Sequence, residues 1–130
     1  MRCEWRAAFA NEDLNILHAE GFTHTVRETD WRSQVERHSL GWACAFEATR
    51  LIGFVNVAWD GGVHAFVIDT VVARDRHHAG VGRALLDVAE RESRAAGCEW
   101  LHVDFEEELR DFYVGACGFT PTPAGLIALR

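Results

Sequence analysis

Val71-Val72-Ala73-Arg74-Asp75-Arg76-His77-His78-Ala79-Gly80-Val81-Gly82-Arg83 is the stretch that orders the rest of the chain. An apolar, β-branched run ends at Ala73, a basic loop with two glycines follows, and from Val81 the apolar spacing changes from two residues to about 3.6. Val81, Leu85, Val88 and Ala89 then share one helix face, with Asp87/Arg91 and Glu90/Arg94 as outward i, i+4 pairs. Gly97 sits where a helix C-cap glycine belongs. Backbone N–H groups at such a helix start lack internal partners and, with the helix dipole, attract phosphate oxygens, while glycine lets a ligand approach the main chain. Between Arg74 and Arg83 the formal charge is +2 with two histidines, inside a chain of −7, a local reversal that suits a polyanion.

Upstream, residues 3–9 read as a strand, and Asn11 is placed to cap a helix carrying Leu14, Ile16 and Leu17 that Gly21 stops. Thr29 or Asp30 caps a second helix with Trp31 and Val35 on one face, closed by Ser39 to Gly41. Residues 42–48, 51–59 and 63–73 are rich in aromatic and β-branched types and separated only by Thr49-Arg50 and Asp60-Gly61-Gly62, so they predict antiparallel hairpins. Downstream, 99–105 alternates as a strand, with Leu101, Val103 and Phe105 on one face and His102 and Asp104 on the other. Asp104 is positioned to cap a last helix, with Glu107 at the capping-box position and Leu109, Phe112, Tyr113 and Ala116 as its stripe. Gly118 ends that helix before a last strand pair split by Pro121 and Pro123. This order predicts an α/β (α+β) fold on a mixed, mostly antiparallel central sheet with helices on both faces.

Composition bounds the rest. A chain of 130 residues with 48% apolar and 25% charged residues has the balance of one globular domain, residues 1–130, and excludes disordered or collagen-like chains. No stretch approaches the ~18 apolar residues of a membrane span, and Met1 to Arg6 lacks a signal-peptide run, which predicts a cytoplasmic protein without membrane partners. The charge of −7 argues against nucleic acid as a partner. Cys3, Cys44, Cys98 and Cys117 form no C-x-x-C pair and read as reduced core residues. His77-His78 lacks the further ligands a metal site needs, so no metal is expected.

The glycine loop fails two known phosphate patterns. The dinucleotide fingerprint G-x-G-x-x-G has Leu85 at its third glycine position and follows hairpins rather than a parallel βαβ unit, and a P-loop needs a lysine, which the chain lacks. A tight turn against the sheet, with no ligand, also accounts for two glycines. Read together with Val72, however, the run Arg76 to Leu86 resembles the acetyl-CoA signature of the GNAT superfamily of N-acetyltransferases, Q/R-x-x-G-x-G/A. Phe112-Tyr113 and Gly118-Phe119 are similar to the family's C-terminal F-Y-x-x-x-G-F block. The element order extends the resemblance over essentially the whole chain.

The resemblance implies acetyl-CoA as cosubstrate, held in a notch where two adjacent parallel strands splay, here 63–73 and 99–105. Thr70, Val71 and Val72 would pair with the pantetheine arm, and His78, Ala79, Gly80, Val81, Gly82 and Arg83 would cradle the pyrophosphate. His77 stands at the motif's Q/R position, with Arg76 displaced by one, so a neutral imidazole replaces a fixed charge there. Tyr113, the only tyrosine, stands where the family often protonates the departing thiolate, although its spacing alone reads as core packing beside Phe112.

An amine nucleophile, with a pKa near ~10, must lose a proton. Asp69, the lone charge in Phe66-Val67-Ile68-Asp69-Thr70-Val71-Val72, is the candidate base, its alternative being an aspartate at the solvated sheet surface. Asp104 and Glu106 are secondary candidates, and Glu106 falls near a cofactor-contacting asparagine of many relatives. His102 reads as a structural hydrogen-bonder, and Trp31 as a core residue or an acceptor-site wall. The expected reaction is N-acetylation of a small-molecule or peptide amine by direct attack in a ternary complex, with Glu12, Asp13, Glu20, Glu28 and Asp30 favouring a cationic acceptor. The rivals are an acyl-CoA sensor on the same fold and a donor other than acetyl-CoA. Ala124 to Leu129 reads as an internal strand or as an edge that makes a homodimer.

Overall fold

Three apolar runs joined by turns too short for a crossover fold as the expected meander. Strands β2 (Ser39–Glu47), β3 (Arg50–Trp59) and β4 (His64–Val72) pair antiparallel in chain order. The computed structural model, which describes residues 1–130, adds β1 (Arg2–Trp5) antiparallel to β2 and β5 (Trp100–Val103) parallel to β4, so the five-stranded sheet has the order β1-β2-β3-β4-β5. Helices α1 (Asn11–Phe22) and α2 (Trp31–His38) precede the meander, and α3 (Val81–Ala95) follows it. Gly53 faces Val81 and Leu85 of α3, while its neighbour Phe54 meets Trp31 of α2. Successive strand residues point to opposite faces, so the helices cover both sides of the sheet. One apolar cluster of 26 buried residues runs from Ala7 to Tyr113 and joins both layers.

Local signals hold where they are strongest. Asp30 caps α2 by accepting from the Ser33 N–H (3.3 Å), and α3 ends at Gly97 with φ +90. Val81, Leu85, Val88 and Ala89 are all buried.

Several expectations are corrected. The first strand stops at Trp5, and Ala7 and Phe9 enter the core from a loop. Asn11 does not cap α1. Its amide group spans to α2 instead, accepting from Arg32 N–H and donating to Asp30. Gly21 lies inside α1 rather than ending it, and its glycine serves close packing, since a Cβ there would come within 2.2 Å of Val71 Cγ2; the helix stops at Thr23, φ 53. Asp87 pairs with Arg83 (3.0 Å) rather than Arg91, whereas Glu90 and Arg94 pair as expected (2.9 Å).

The largest differences follow β5. Asp104 caps nothing and Glu107 binds Arg110 (2.7 Å); the chain makes a 3₁₀ turn (Glu107–Leu109) and then a π-helical turn (Asp111–Ala116). The wider turn, closed by Cys117 N–H to the Phe112 carbonyl (2.9 Å), lets Phe112 lie against Gly82 while Tyr113 packs on Phe105. Leu109 is left 44% exposed. The expected final strand pair is absent: residues 118–130 have no regular structure, and Leu126, Ile127 and Leu129 are exposed. Pro121 and Pro123 remove two backbone donors from that segment.

Candidate active site

The parallel β4–β5 ladder runs from His64↔Trp100 to Val67↔Val103 and stops. Beyond it, β5 has ended and Ile68–Val72 of β4 has no strand on that side, which is the splayed notch expected from the sequence. At the mouth of the notch β4 carries a bulge. Phe54 pairs with Val71 and Asn56 with Ile68, so Val55 faces both Asp69 and Thr70. Asp69 takes φ +56, a left-handed conformation that aspartate tolerates better than β-branched residues.

The bulge sends these neighbours to different partners. Thr70 Oγ1 is buried with no directed hydrogen bond, beside the Tyr113 hydroxyl. Tyr113 is 6% exposed; burial raises its phenol above the ordinary value of 10, and the Thr70 hydroxyl opposes this in part. Phe105, Phe112 and Phe119 surround the ring at centroid distances of 5.2, 4.9 and 5.9 Å. The phenol is thus held protonated in a mostly apolar wall of the notch.

Asp69 turns the other way, to α1. Its Oδ1 lies 3.0 Å from His18 Nε2, His18 Nδ1 lies 2.8 Å from His24 Nε2, and His24 Nδ1 donates to the Thr25 carbonyl at 2.7 Å. Sequence reading missed both histidines. A signal existed for His18, which sits four residues after the fully buried Leu14 and so falls on the inward face of α1. Trp31 packs against His18 (centroids 5.1 Å) and donates to Asn15 (3.0 Å), a buried position that makes it core rather than an acceptor-site wall.

At the loop, Gly80 has φ +84 and no side chain caps α3, whose first internal bond is Ala84 N–H to the Gly80 carbonyl (3.1 Å). The amides of Val81, Gly82 and Arg83 therefore open toward the loop. Gly82 is glycine for a packing reason also, since a Cβ would sit 3.0 Å from Phe112 Cζ.

Not all the arginines counted there are free charges. Arg76 forks onto Glu47 (2.7–2.9 Å), Arg83 binds Asp87 and the Ala116 carbonyl, Arg74 holds the Glu20 carbonyl (3.0 Å), and Asp75 takes Arg50 (2.9 Å). Two of the loop's three arginines are thus paired with carboxylates, and the anion-attracting groups that remain are the exposed Arg74 guanidinium, the helix-start amides and the exposed His78, φ +63. His77 Nε2 donates to the Val72 carbonyl (3.0 Å), tying the loop back to β4.

The other candidates stand apart. His102 is bonded to His64 (2.8 Å) and stacked on Phe66, while Asp104 and Glu106 are exposed. All four cysteines are free, but only Cys44 is buried.

A model of the Acetyltransferase (GNAT) family matches residues 5–119. The chain belongs to the GNAT acetyltransferase family. GNAT proteins are acyltransferases that use acetyl-CoA, so that chemistry is the frame for the notch. Solved structures with the same fold include a GNAT-family acetyltransferase from Streptococcus pneumoniae (20% identity, TM-score 0.79, covering 99% of this chain and 97% of that one). Glucosamine-6-phosphate N-acetyltransferase from Arabidopsis thaliana is 13% identical with TM-score 0.76, each chain covered fully. AAC(6')-Iy, solved with the bisubstrate analogue CoA-S-monomethyl-acetylneamine, is 16% identical with TM-score 0.76, covering 100% of this chain and 99% of that one. No curated protein matches significantly. No helix is long and apolar enough to cross a membrane.

Proposed function

We propose that this GNAT domain, residues 1–130 acting as one unit, transfers acetyl from acetyl-CoA to a primary amine by direct attack in a ternary complex. The observation that carries the reading is the notch itself, in which an unpaired β4 edge, a partnerless buried Thr70 hydroxyl and a buried, protonated Tyr113 converge. Thr70, Val71 and Val72 would bind the pantetheine arm by their main chain, and His78, Ala79, Gly80, Val81, Gly82 and Arg83 would hold the pyrophosphate. His77 fixes the cradle to Val72. When bound, acetyl-CoA supplies an acyl group activated as a thioester.

Asp69 removes the proton from the amine, and Tyr113 donates its proton to the departing sulfur. A surface groove of about 650 Å³ beside α1 is lined by Glu12, Glu28 and Asp30 against a single Arg27, which supports a cationic small-molecule or peptide acceptor. A cytoplasmic location fits the free thiols. The exposed Leu126, Ile127 and Leu129 support a homodimer in which these segments meet the second copy, and β5 stands at an edge of the sheet.

Calorimetric titration with acetyl-CoA, with NADH and ATP as controls, tests the assignment. Selective micromolar binding followed by amine-dependent release of CoA is expected. No binding would overturn the transferase reading, and binding without turnover on any amine would favour an acyl-CoA sensor. Light scattering of the full chain, at concentrations spanning ~1 to 100 μM, tests the dimer, which a constant monomer mass would refute.

A further inference from the structure

We infer that Asp69, His18 and His24 form a single proton-sharing unit that takes up the acceptor's proton and passes it to the protein surface. The inference deepens the assignment of Asp69 as base and rests on it. Its starting point is a count of protons along three contacts: Asp69 Oδ1 to His18 Nε2 (3.0 Å), His18 Nδ1 to His24 Nε2 (2.8 Å), and His24 Nδ1 to the Thr25 carbonyl (2.7 Å).

A carbonyl only accepts, so His24 Nδ1 carries a proton. In a neutral His24 this leaves Nε2 as an acceptor, and His18 must then donate from Nδ1. A neutral His18 now presents a bare Nε2 lone pair to a bare carboxylate oxygen at 3.0 Å. Two protons cannot satisfy three contacts. All three are hydrogen bonds only when the unit holds one further proton, either as an imidazolium beside ionised Asp69 or as neutral histidines beside protonated Asp69. The geometry is therefore that of the proton-loaded, net-neutral unit. The unloaded unit, net −1, has one repulsive contact and regains its third hydrogen bond by accepting a proton.

The surroundings restrict where that proton comes from. Asp69 of β4 and His24 of the loop after α1 are the titratable groups that face His18. Its other ring contacts are Phe22 of α1 (centroids 4.4 Å) and Trp31 of α2 (5.1 Å). Asp69 is at the bulge beside Thr70, where the β4–β5 ladder has ended, whereas His24 follows the end of α1, two residues before Val26, which lines the acidic groove.

The step balances without any redox partner. An N–H bond of the acceptor breaks with its electron pair left on nitrogen, and the proton passes by way of Asp69 Oδ1 to His18 Nε2. The His18 Nδ1–H bond then breaks as a His24 Nε2–H bond forms, and the His24 Nδ1–H bond breaks to release the surplus proton to water. Asp69 touches the substrate in this scheme; His18 and His24 are positioning and relay residues.

Imidazole ¹⁵N NMR of the full chain across pH reads the shared proton independently of activity. In Asp69→Asn the amide can donate to His18 Nε2, so the surplus proton is no longer needed. We expect His18 of that variant to stay a neutral Nδ1–H tautomer at pH values where the wild-type unit is loaded. Histidines that titrate identically with and without the aspartate would overturn the unit.

For the relay, His24→Gln is expected to lower kcat about tenfold with KM nearly unchanged and to shift the acid limb of the pH–rate profile. Added imidazole should restore turnover in His24→Ala. Full turnover by Asp69→Asn would refute the base itself, and with it the histidines' role. Loss of turnover in Asp69→Asn beside unaltered profiles in both His24 variants would refute the relay alone.

Discussion

Tyr113→Phe separates chemistry from packing because it removes one oxygen and little else. The ring contacts with Phe105, Phe112 and Phe119 persist, and the lost hydroxyl faces only Thr70 Oγ1, which has no directed partner to begin with. A buried group with so little to lose changes stability by about 1 kcal/mol or less. Removing a general acid, in contrast, costs roughly 10²–10⁴ in rate, and at ~1.4 kcal/mol per tenfold this is about 3–5 kcal/mol of barrier. The effect on turnover therefore exceeds the effect on the fold severalfold, and affinity for acetyl-CoA should change by less than about threefold.

The released CoA should be quantified by chromatography, because Cys3, Cys98 and Cys117 are partly exposed and would react with a thiol dye. A variant that keeps more than about half the wild-type rate would remove Tyr113 from the chemistry. A large loss of both melting temperature and cofactor affinity would make its role structural.

Three further outcomes are expected. Gly80→Ala meets no atom within 4 Å but must hold φ +84, so denaturant melts should show a loss of about 1–2 kcal/mol; an unchanged midpoint would mean that the loop relaxes out of the left-handed region. Cys44, whose thiol burial pushes up to about 12, should resist alkylation near pH ~8 in the native protein while the partly exposed Cys3, Cys98 and Cys117 label first; mass spectrometry that finds Cys44 modified before unfolding contradicts the packing. Burial raises the Tyr113 phenol, so the native state holds that proton more tightly than the unfolded chain does. Its contribution is intact below the unfolded value near ~10 and fades as pH rises toward the folded value, so denaturant melts at pH ~9 and ~11 should lose an alkaline dependence in Tyr113→Phe that wild type shows.

How much could be read in advance differs from element to element. The meander was legible because Thr49-Arg50 and Asp60-Gly61-Gly62 leave no length for a crossover, and α3 because its apolar stripe, its start at Gly80 and its stop at Gly97 agree. The region after β5 misled because Leu109, Phe112, Tyr113 and Ala116 have helical spacing, yet Phe112 and Tyr113 must both pack, one on Gly82 and the other on Phe105. A π-helical turn meets both demands and an α-helix does not. The tail from Ala124 has strand composition, but composition supplies no neighbour to pair with.

By itself the sequence determined the order of elements as far as β5, the glycine-bearing helix start and the placing of Asp69 on the strand that bounds the notch. Periodicity, turn length and glycine placement act over a few residues and survive in any context. Tertiary structure alone decided the rest. Arg76 is neutralised by Glu47, 29 residues away, and Asp69 reaches His18 across 51. A charge count along the chain reads +2 at the loop, whereas Coulomb and hydrogen-bond energies depend on distance in space, and only the folded sheet brings those carboxylates and imidazoles within 3 Å of their partners.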